Sequence, residues 1–116
     1  MDSERRKRLV RLQRMEITEA EVYKKLAKSQ KNKKNKDILT KIAIQENAHY
    51  NILRKSTGID VGASKIRVKF HIMTSILFGL TFSLKLMEKI EKSAAKEYRD
   101  LGLDDIACLL YTSDAA

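Results

Sequence analysis

The chain has 116 residues, enough for one domain with a single core, and it contains no proline and only four glycines. Its 24 lysines and arginines against 15 acidic residues give a formal net charge of +9, which favours an anionic neighbour such as a membrane face or a nucleic acid. The single cysteine, Cys108, excludes an internal disulfide framework and fits a reducing compartment.

No segment of the sequence has the pattern of a signal peptide or a membrane-spanning helix. The charged N-terminus is not followed by the apolar core of a signal peptide. The longest apolar stretch, residues 70–84, is interrupted by polar residues such as His71 and Thr74. It falls short of the roughly 20 apolar residues that a spanning helix needs. We therefore expect the chain to be soluble or to lie beside a membrane without crossing it.

Three helical segments are predicted. The first runs from about Ser3 to about Gln30 and is followed by a polar run suited to a turn, residues 31–36. The second begins near Asn35 or Asp37 and ends at Thr57–Gly58, because glycine commonly stops a helix.

The third helical region covers Lys65 to about Leu101, and Ser64 is placed to cap it. Gly79 lies inside this long region. We therefore expect a bend there, or a division into a crossover section that ends near Phe78 and a core helix that ends near Leu101.

The C-terminal tail differs in composition from the rest of the chain. It has no basic residue, and its ending from Cys108 to Ala116 resembles the translation of a sequencing adapter. We expect a helical domain at residues 1–101 and a tail at residues 102–116 that is not native sequence. We also expect the natural protein to continue differently after about Asp105.

One carboxylate interrupts the apolar stripe of each predicted helix. Steps of three and four residues place Glu16, Glu46 and Glu91 where the pattern calls for leucine. An ionised carboxylate buried alone costs several kcal/mol or more, and neighbouring carboxylates repel one another. A bound metal cation would offset both costs.

The spacing of Glu46 and His49 predicts the kind of metal site. Residues three apart on a helix project to one side, so the Glu46 carboxylate can bridge two metals while the His49 imidazole binds one of them. Four-helix di-iron and di-manganese proteins use one Glu from each of two helices and a Glu-x-x-His from each of the other two. Oxygen-rich ligands with one nitrogen favour iron or manganese over zinc.

A repeated spacing supports the same arrangement. Tyr23 follows Glu16 by seven residues, and Tyr98 follows Glu91 by seven, so each tyrosine lies two turns along the same face as its carboxylate. Two similar helix pairs would produce this pattern. The first pair would supply Glu16, Glu46 and His49. The second would supply Glu91 and a further Glu-x-x-His, which this sequence lacks.

Three stretches of the sequence carry a family resemblance: 16–27, 42–50 and 78–91. Together they resemble the rubrerythrin-like, ferritin-like domain, in the version fused ahead of the membrane domain of vacuolar-iron-transporter family proteins. The resemblance extends over about residues 8–101. It is most specific at the Glu-x-x-His-Tyr run 46–50 and at the Phe-Gly-Leu-Thr-Phe run 78–82.

The resemblance implies an all-α, ferritin-like four-helix bundle that lacks most or all of its fourth helix, with an up-down helix pair and a crossover to a long third helix. It also implies a di-iron centre, with manganese as the other candidate metal, on the cytoplasmic side of a downstream iron or manganese transporter domain. The implied activity is capture or oxidation of ferrous iron, as a ferroxidase or a peroxide-linked oxidase. Glu16, Glu46, His49 and Glu91 match the family's ligands, and Tyr23 and Tyr98 match its near-site tyrosines.

Other interpretations remain open at this stage. Glu88 lies three residues before Glu91 and is an alternate ligand. The basic charge also suits a helical module that binds nucleic acid, but no aromatic and basic interleaving or DNA-reading motif supports that function. The chain could also be a helical scaffold without a completed site. An exposed half-core would favour a homodimer.

Overall fold

The computed structural model describes residues 2–100, except for the side chains of residues 97, 98 and 100. Within these residues the chain forms α1 (Ser3–Ser29), α2 (Lys33–Thr57), α3 (Lys65–Phe78) and α4 (Leu80–Asp100), with no strand. The predicted all-α class is therefore confirmed, and it is consistent with a ferritin-like helical bundle. The chain divides into two compact units between Ile72 and Met73. The predicted tail 102–116 lies outside the described residues.

The first helix, α1, has the predicted bounds. The side chain of Asp2 caps its start by accepting a hydrogen bond from the backbone N–H of Glu4 at 3.2 Å. Gln30 ends the helix in an extended conformation, and its own N–H still donates to the carbonyl of Ala27. The polar turn that follows is short, because α2 begins at Lys33.

The second helix, α2, begins earlier than the predicted Asn35 or Asp37. The side chain of Asn32 accepts a hydrogen bond from the N–H of Asn35 at 3.1 Å, so the first of the two asparagines is the N-cap. The predicted stop is confirmed, since Gly58 has φ of 70° and its N–H donates to the carbonyl of Arg54. A left-handed φ of this kind strains any residue with a Cβ atom.

A buried polar cluster fastens the end of α2 to α1. Gln13 donates from Nε2 to the carbonyl of Ile59 and accepts from the Thr57 hydroxyl, with both distances 2.6 Å. The hydroxyl of Tyr50 accepts from the N–H of Val61 at 2.8 Å. These bonds satisfy backbone groups of the connecting segment, which would otherwise be costly to bury.

The link to α3 is also attached to α1. The N–H of Ser64 donates to the Thr18 hydroxyl at 2.9 Å, and the Ser64 hydroxyl accepts from the N–H of Arg67 at 3.4 Å. Ser64 therefore occupies the predicted capping position of α3. The predicted division near Gly79 is confirmed as well, because Gly79 has φ of 93° and separates α3 from α4.

Apolar residues of α1 and α2 form the core of the first unit. Seven of its buried hydrophobic side chains are Leu9, Leu12, Val22, Tyr23, Leu26, Leu39 and Leu53. Six of them follow the predicted steps of three and four residues through Glu16 and Glu46, whereas Val22, completely buried, lies one position off that stripe. None of the helices in the described part of the chain combines the length and the apolar character that crossing a bilayer requires.

The buried positions of α4 differ partly from the predicted stripe. Steps of three and four residues through Glu91 predict that Leu84, Met87 and Ala94 are buried. Met87 and Glu91 are buried, but Leu84 and Ala94 are only half-buried, and their neighbours Ser83 and Ala95 are buried instead. Serine and alanine carry little hydrophobic signal. A stripe drawn from apolar residues alone therefore shifts by one position.

Candidate metal centre

Four side chains of α1 and α2 bring ligand atoms into the interior of the first unit. Glu16 and Glu46 are completely buried, with 0% of their surface exposed. Glu19 is 4% exposed and His49 is 8% exposed. Each helix presents two of these residues three positions apart, so both members of a pair project to the same side.

The predicted ligands Glu16, Glu46 and His49 lie together. Each offers one ligand atom, and these atoms lie within 4.8 Å of one another. Nδ1 of His49 is 3.3 Å from Oε2 of Glu16, yet this nitrogen makes no hydrogen bond among the described residues. When the imidazole is protonated, the same contact is an ion pair.

The distance between Nδ1 of His49 and Oε2 of Glu16 suits a shared metal ion. Two atoms that each lie about 2.0–2.2 Å from one cation, in tetrahedral or octahedral coordination, lie roughly 2.8–3.6 Å from each other. The observed 3.3 Å falls in that range. A buried imidazole nitrogen without a hydrogen bond is costly unless something binds it, so the donor set fits a divalent metal.

Glu19 is the member of the site that the sequence pattern did not identify. It offers a carboxylate oxygen within 4.8 Å of those of Glu16 and Glu46. The available signal was its spacing from Glu16, which repeats the three-residue spacing of Glu46 and His49. The pattern failed because three consecutive residues, 18–20, are buried on α1. A single apolar stripe does not describe so wide a buried face.

The candidate ligands on α4 belong to the second unit. Glu91 is buried, whereas Glu88 is exposed and forms an ion pair with Lys92 at 2.8 Å. The hydrogen bond from Lys92 and its positive charge lower the pKa of Glu88. This placement favours Glu91 over Glu88 as the residue with a buried role. The participation of Glu91 in the site stays a prediction.

The structure describes the side chain of only one of the two predicted near-site tyrosines. Tyr23 is buried on α1, two helical turns beyond Glu16. The side chain of Tyr98 lies outside the described residues. Tyr50, beside His49 in the sequence, uses its hydroxyl to hold the N–H of Val61, which gives it a role in fixing the end of α2.

The family comparison covers the helix pair that carries these ligands. Residues 7–57, which are 51 of the 116 residues, match the family model described as Rubrerythrin. Curated proteins and solved structures gave no match. The matched segment contains Glu16, Glu19, Glu46 and His49. The match and the carboxylate–histidine cluster together support a rubrerythrin-like, ferritin-like domain of the iron-binding, di-iron class.

Proposed function

We propose that the chain binds iron at the α1–α2 cluster as a ferritin-like di-iron domain, and that it captures or oxidises ferrous iron. The observation that carries the proposal is the buried contact between His49 and Glu16, which has the separation of two ligands on one metal. The contact lies within the segment that matches the rubrerythrin family model.

The residues of the cluster have distinct parts in this function. Glu46 and Glu16 would each serve as a shared carboxylate, and His49 would hold one metal through Nδ1. Two ferrous ions held there would supply the two electrons that reduce dioxygen to hydrogen peroxide, with uptake of two protons. Because all three side chains are buried, they would keep bulk water away from a bound metal. Manganese fits the same donors, because they are mostly hard oxygen atoms.

An anaerobic titration with ferrous iron tests the proposal. Wild-type protein is compared with Glu46→Ala and His49→Ala, and Ile52→Ala on the exposed face of α2 is the control. We expect both ligand variants to lose iron affinity by more than about tenfold, since even the loss of a residue that only orients a metal ligand costs about 10–100-fold in affinity. Undiminished binding in both ligand variants would refute the proposal. Binding of duplex DNA by a protein that takes up no metal would favour the nucleic-acid alternative.

The proposal extends to an anionic membrane as the neighbour of α3. This helix buries the polar residues His71 and Thr74, yet its exposed residues include Ile66, Phe70 and Leu77. Ile66 is 82% exposed. A helix with an apolar outward face and a cationic border is typical of one that lies in a lipid interface.

The charges around α3 favour lipid over a second copy of the chain. Lys65, Arg67 and Lys69 are exposed beside the apolar face, and the sequence has no acidic residue between Asp60 and Glu88. Two such faces would repel each other, whereas anionic headgroups would attract the three cations by about 1 kcal/mol each. The resemblance to the transporter-fused version of the family supports the same setting, at the cytoplasmic face of an iron or manganese transporter.

Sedimentation with lipid vesicles tests the membrane proposal. We expect the chain to bind vesicles that contain phosphatidylglycerol, to bind phosphatidylcholine vesicles weakly, and to lose binding in Phe70→Ser. Ile52→Ser removes an exposed apolar residue from α2 and serves as the control. Equal binding by Phe70→Ser and wild type would contradict the proposal. A dimer in solution that Phe70→Ser dissociates, without vesicle binding, would assign the face to a second copy.

A further inference from the structure

The carboxylates of the first unit form two overlapping ligand groups. Glu16 and Glu46 belong to both groups, with ligand atoms within 4.8 Å of one another. His49 completes the first group, and Glu19 lies in the second. Two shared carboxylates, with His49 beside them in one group and Glu19 in the other, are the arrangement expected for two neighbouring metal positions.

We infer that Glu19 is the terminal ligand of the second metal position. The α1–α2 pair then supplies ligands to both positions, with Glu16 and Glu46 shared, His49 on one metal and Glu19 on the other. This inference rests on the proposed function, but it assigns a role to a residue that the Glu-x-x-His pattern does not include. It also provides a second position without a second Glu-x-x-His.

The burial of Glu19 supports this role. Glu19 is 4% exposed, and it lies close to two other buried carboxylates, which is an expensive place for a third negative charge. Glu21, two residues later on the same helix, is only half-buried and lies in neither ligand group. The imidazole nitrogen of His49, buried and without a hydrogen bond, independently indicates that this cluster binds a ligand.

The charge of Glu19 supports the same role. Each divalent ion adds two positive charges to a buried site, and a carboxylate there offsets one of them. Without Glu19, the second ion would lose both a ligand atom and a charge that offsets its burial.

The test measures metal stoichiometry on the full 116-residue chain. Wild type, Glu19→Gln and the control Glu21→Gln are titrated with manganous ion under anaerobic equilibrium dialysis, and the complexes are examined by electron paramagnetic resonance. We expect two manganese ions per chain and an exchange-coupled signal in wild type and in Glu21→Gln. In Glu19→Gln we expect one ion, with the signal of isolated manganese, while the first ion retains its affinity.

A further variant separates a ligand role from a packing role. Glu19→Asp keeps the charge on a shorter side chain, so we expect two ions with the second bound more weakly. If Glu19→Gln still binds two coupled ions, or if wild type binds only one, the assignment of Glu19 is overturned while the iron-binding proposal stands. If wild type binds neither manganese nor iron, the proposed function itself is overturned.

Discussion

Replacing Glu46 by glutamine is expected to stabilise the metal-free protein while weakening its stabilisation by metal. Glu46 is 0% exposed, and its ligand oxygen lies within 4.8 Å of ligand atoms of Glu16 and His49. Glutamine keeps the size of the side chain but removes one negative charge from a crowded interior. Two like charges 4–5 Å apart repel each other by roughly 3–4 kcal/mol at an effective protein dielectric of about 20, so loss of one carboxylate should stabilise the metal-free protein by about 1 kcal/mol or more.

The magnitudes are large enough to measure by thermal unfolding. A stabilisation of 1 kcal/mol raises Tm by roughly 4–8 °C in a domain of 60–100 residues, so the metal-free variant should melt at least about 4 °C above wild type. Metal at about one hundred times its Kd stabilises the native state by about 2.7 kcal/mol, a rise in Tm of roughly 11–22 °C for wild type. The variant should show less than half of that rise.

The assay is far-ultraviolet circular dichroism during heating, with chelator or with manganous ion under anaerobic conditions. Glu21→Gln is the matched control, because it also removes one carboxylate but lies outside both ligand groups. It should behave as wild type in both conditions. If metal-free Glu46→Gln melts at or below wild type and keeps the full metal-induced rise, the reasoning about a buried metal ligand is wrong.

Three further predictions concern the connecting segments and α3. Gln13→Leu should lower the free energy of unfolding by about 1–3 kcal/mol, because it removes the side chain that hydrogen-bonds the Thr57 hydroxyl and the Ile59 carbonyl. Urea denaturation measures the loss, and an unchanged midpoint concentration of urea would contradict the prediction. Gly58→Ala should lower the free energy of unfolding by about 1 kcal/mol, since alanine is strained at φ of 70°. Gly62→Ala should lower it little, because Gly62 has no left-handed φ, and equal effects of the two changes in urea denaturation would contradict the strain argument. Burial, and to a lesser extent the charge of Arg67, lowers the pKa of His71, so the folded state favours its neutral form. The stability that this shift contributes is present above the usual pKa of 6.5 and is lost as the pH falls below it. Wild-type Tm should therefore fall between about pH 6.5 and pH 5, and His71→Gln should reduce that fall. An equal fall in Tm for both proteins would contradict this prediction.

Much of the fold could be predicted because its signals are local. The end of α2 depends on Gly58, and the break between α3 and α4 depends on Gly79, and both glycines have the left-handed φ that a stop or break requires. The start of α2 was predicted too late because two asparagines precede it. Only the hydrogen bond from Asn35 to Asn32 shows which of them caps the helix.

The site was only partly predictable, for a physical reason. Glu16, Glu46 and His49 can be recognised in the sequence because they interrupt an apolar stripe. Burying a charged group is costly, so such an interruption indicates a functional role. Glu19 does not stand out, because the buried face of α1 widens at residues 18–20 where Thr18 also binds the link at Ser64. That widening depends on tertiary contacts, which periodicity along one helix does not contain.

The three-residue connection between α1 and α2 affects how the site assembles in time. Residues 30–32 are all that separate the two helices, and Glu16, Glu19, Glu46 and His49 all precede residue 50. Contacts between adjacent helices form early, because little chain entropy is lost in closing so short a loop. On the ribosome, the first half of the polypeptide therefore contains every ligand of the proposed cluster. Metal could be captured by a nascent chain whose α3 and α4 have not yet been synthesised.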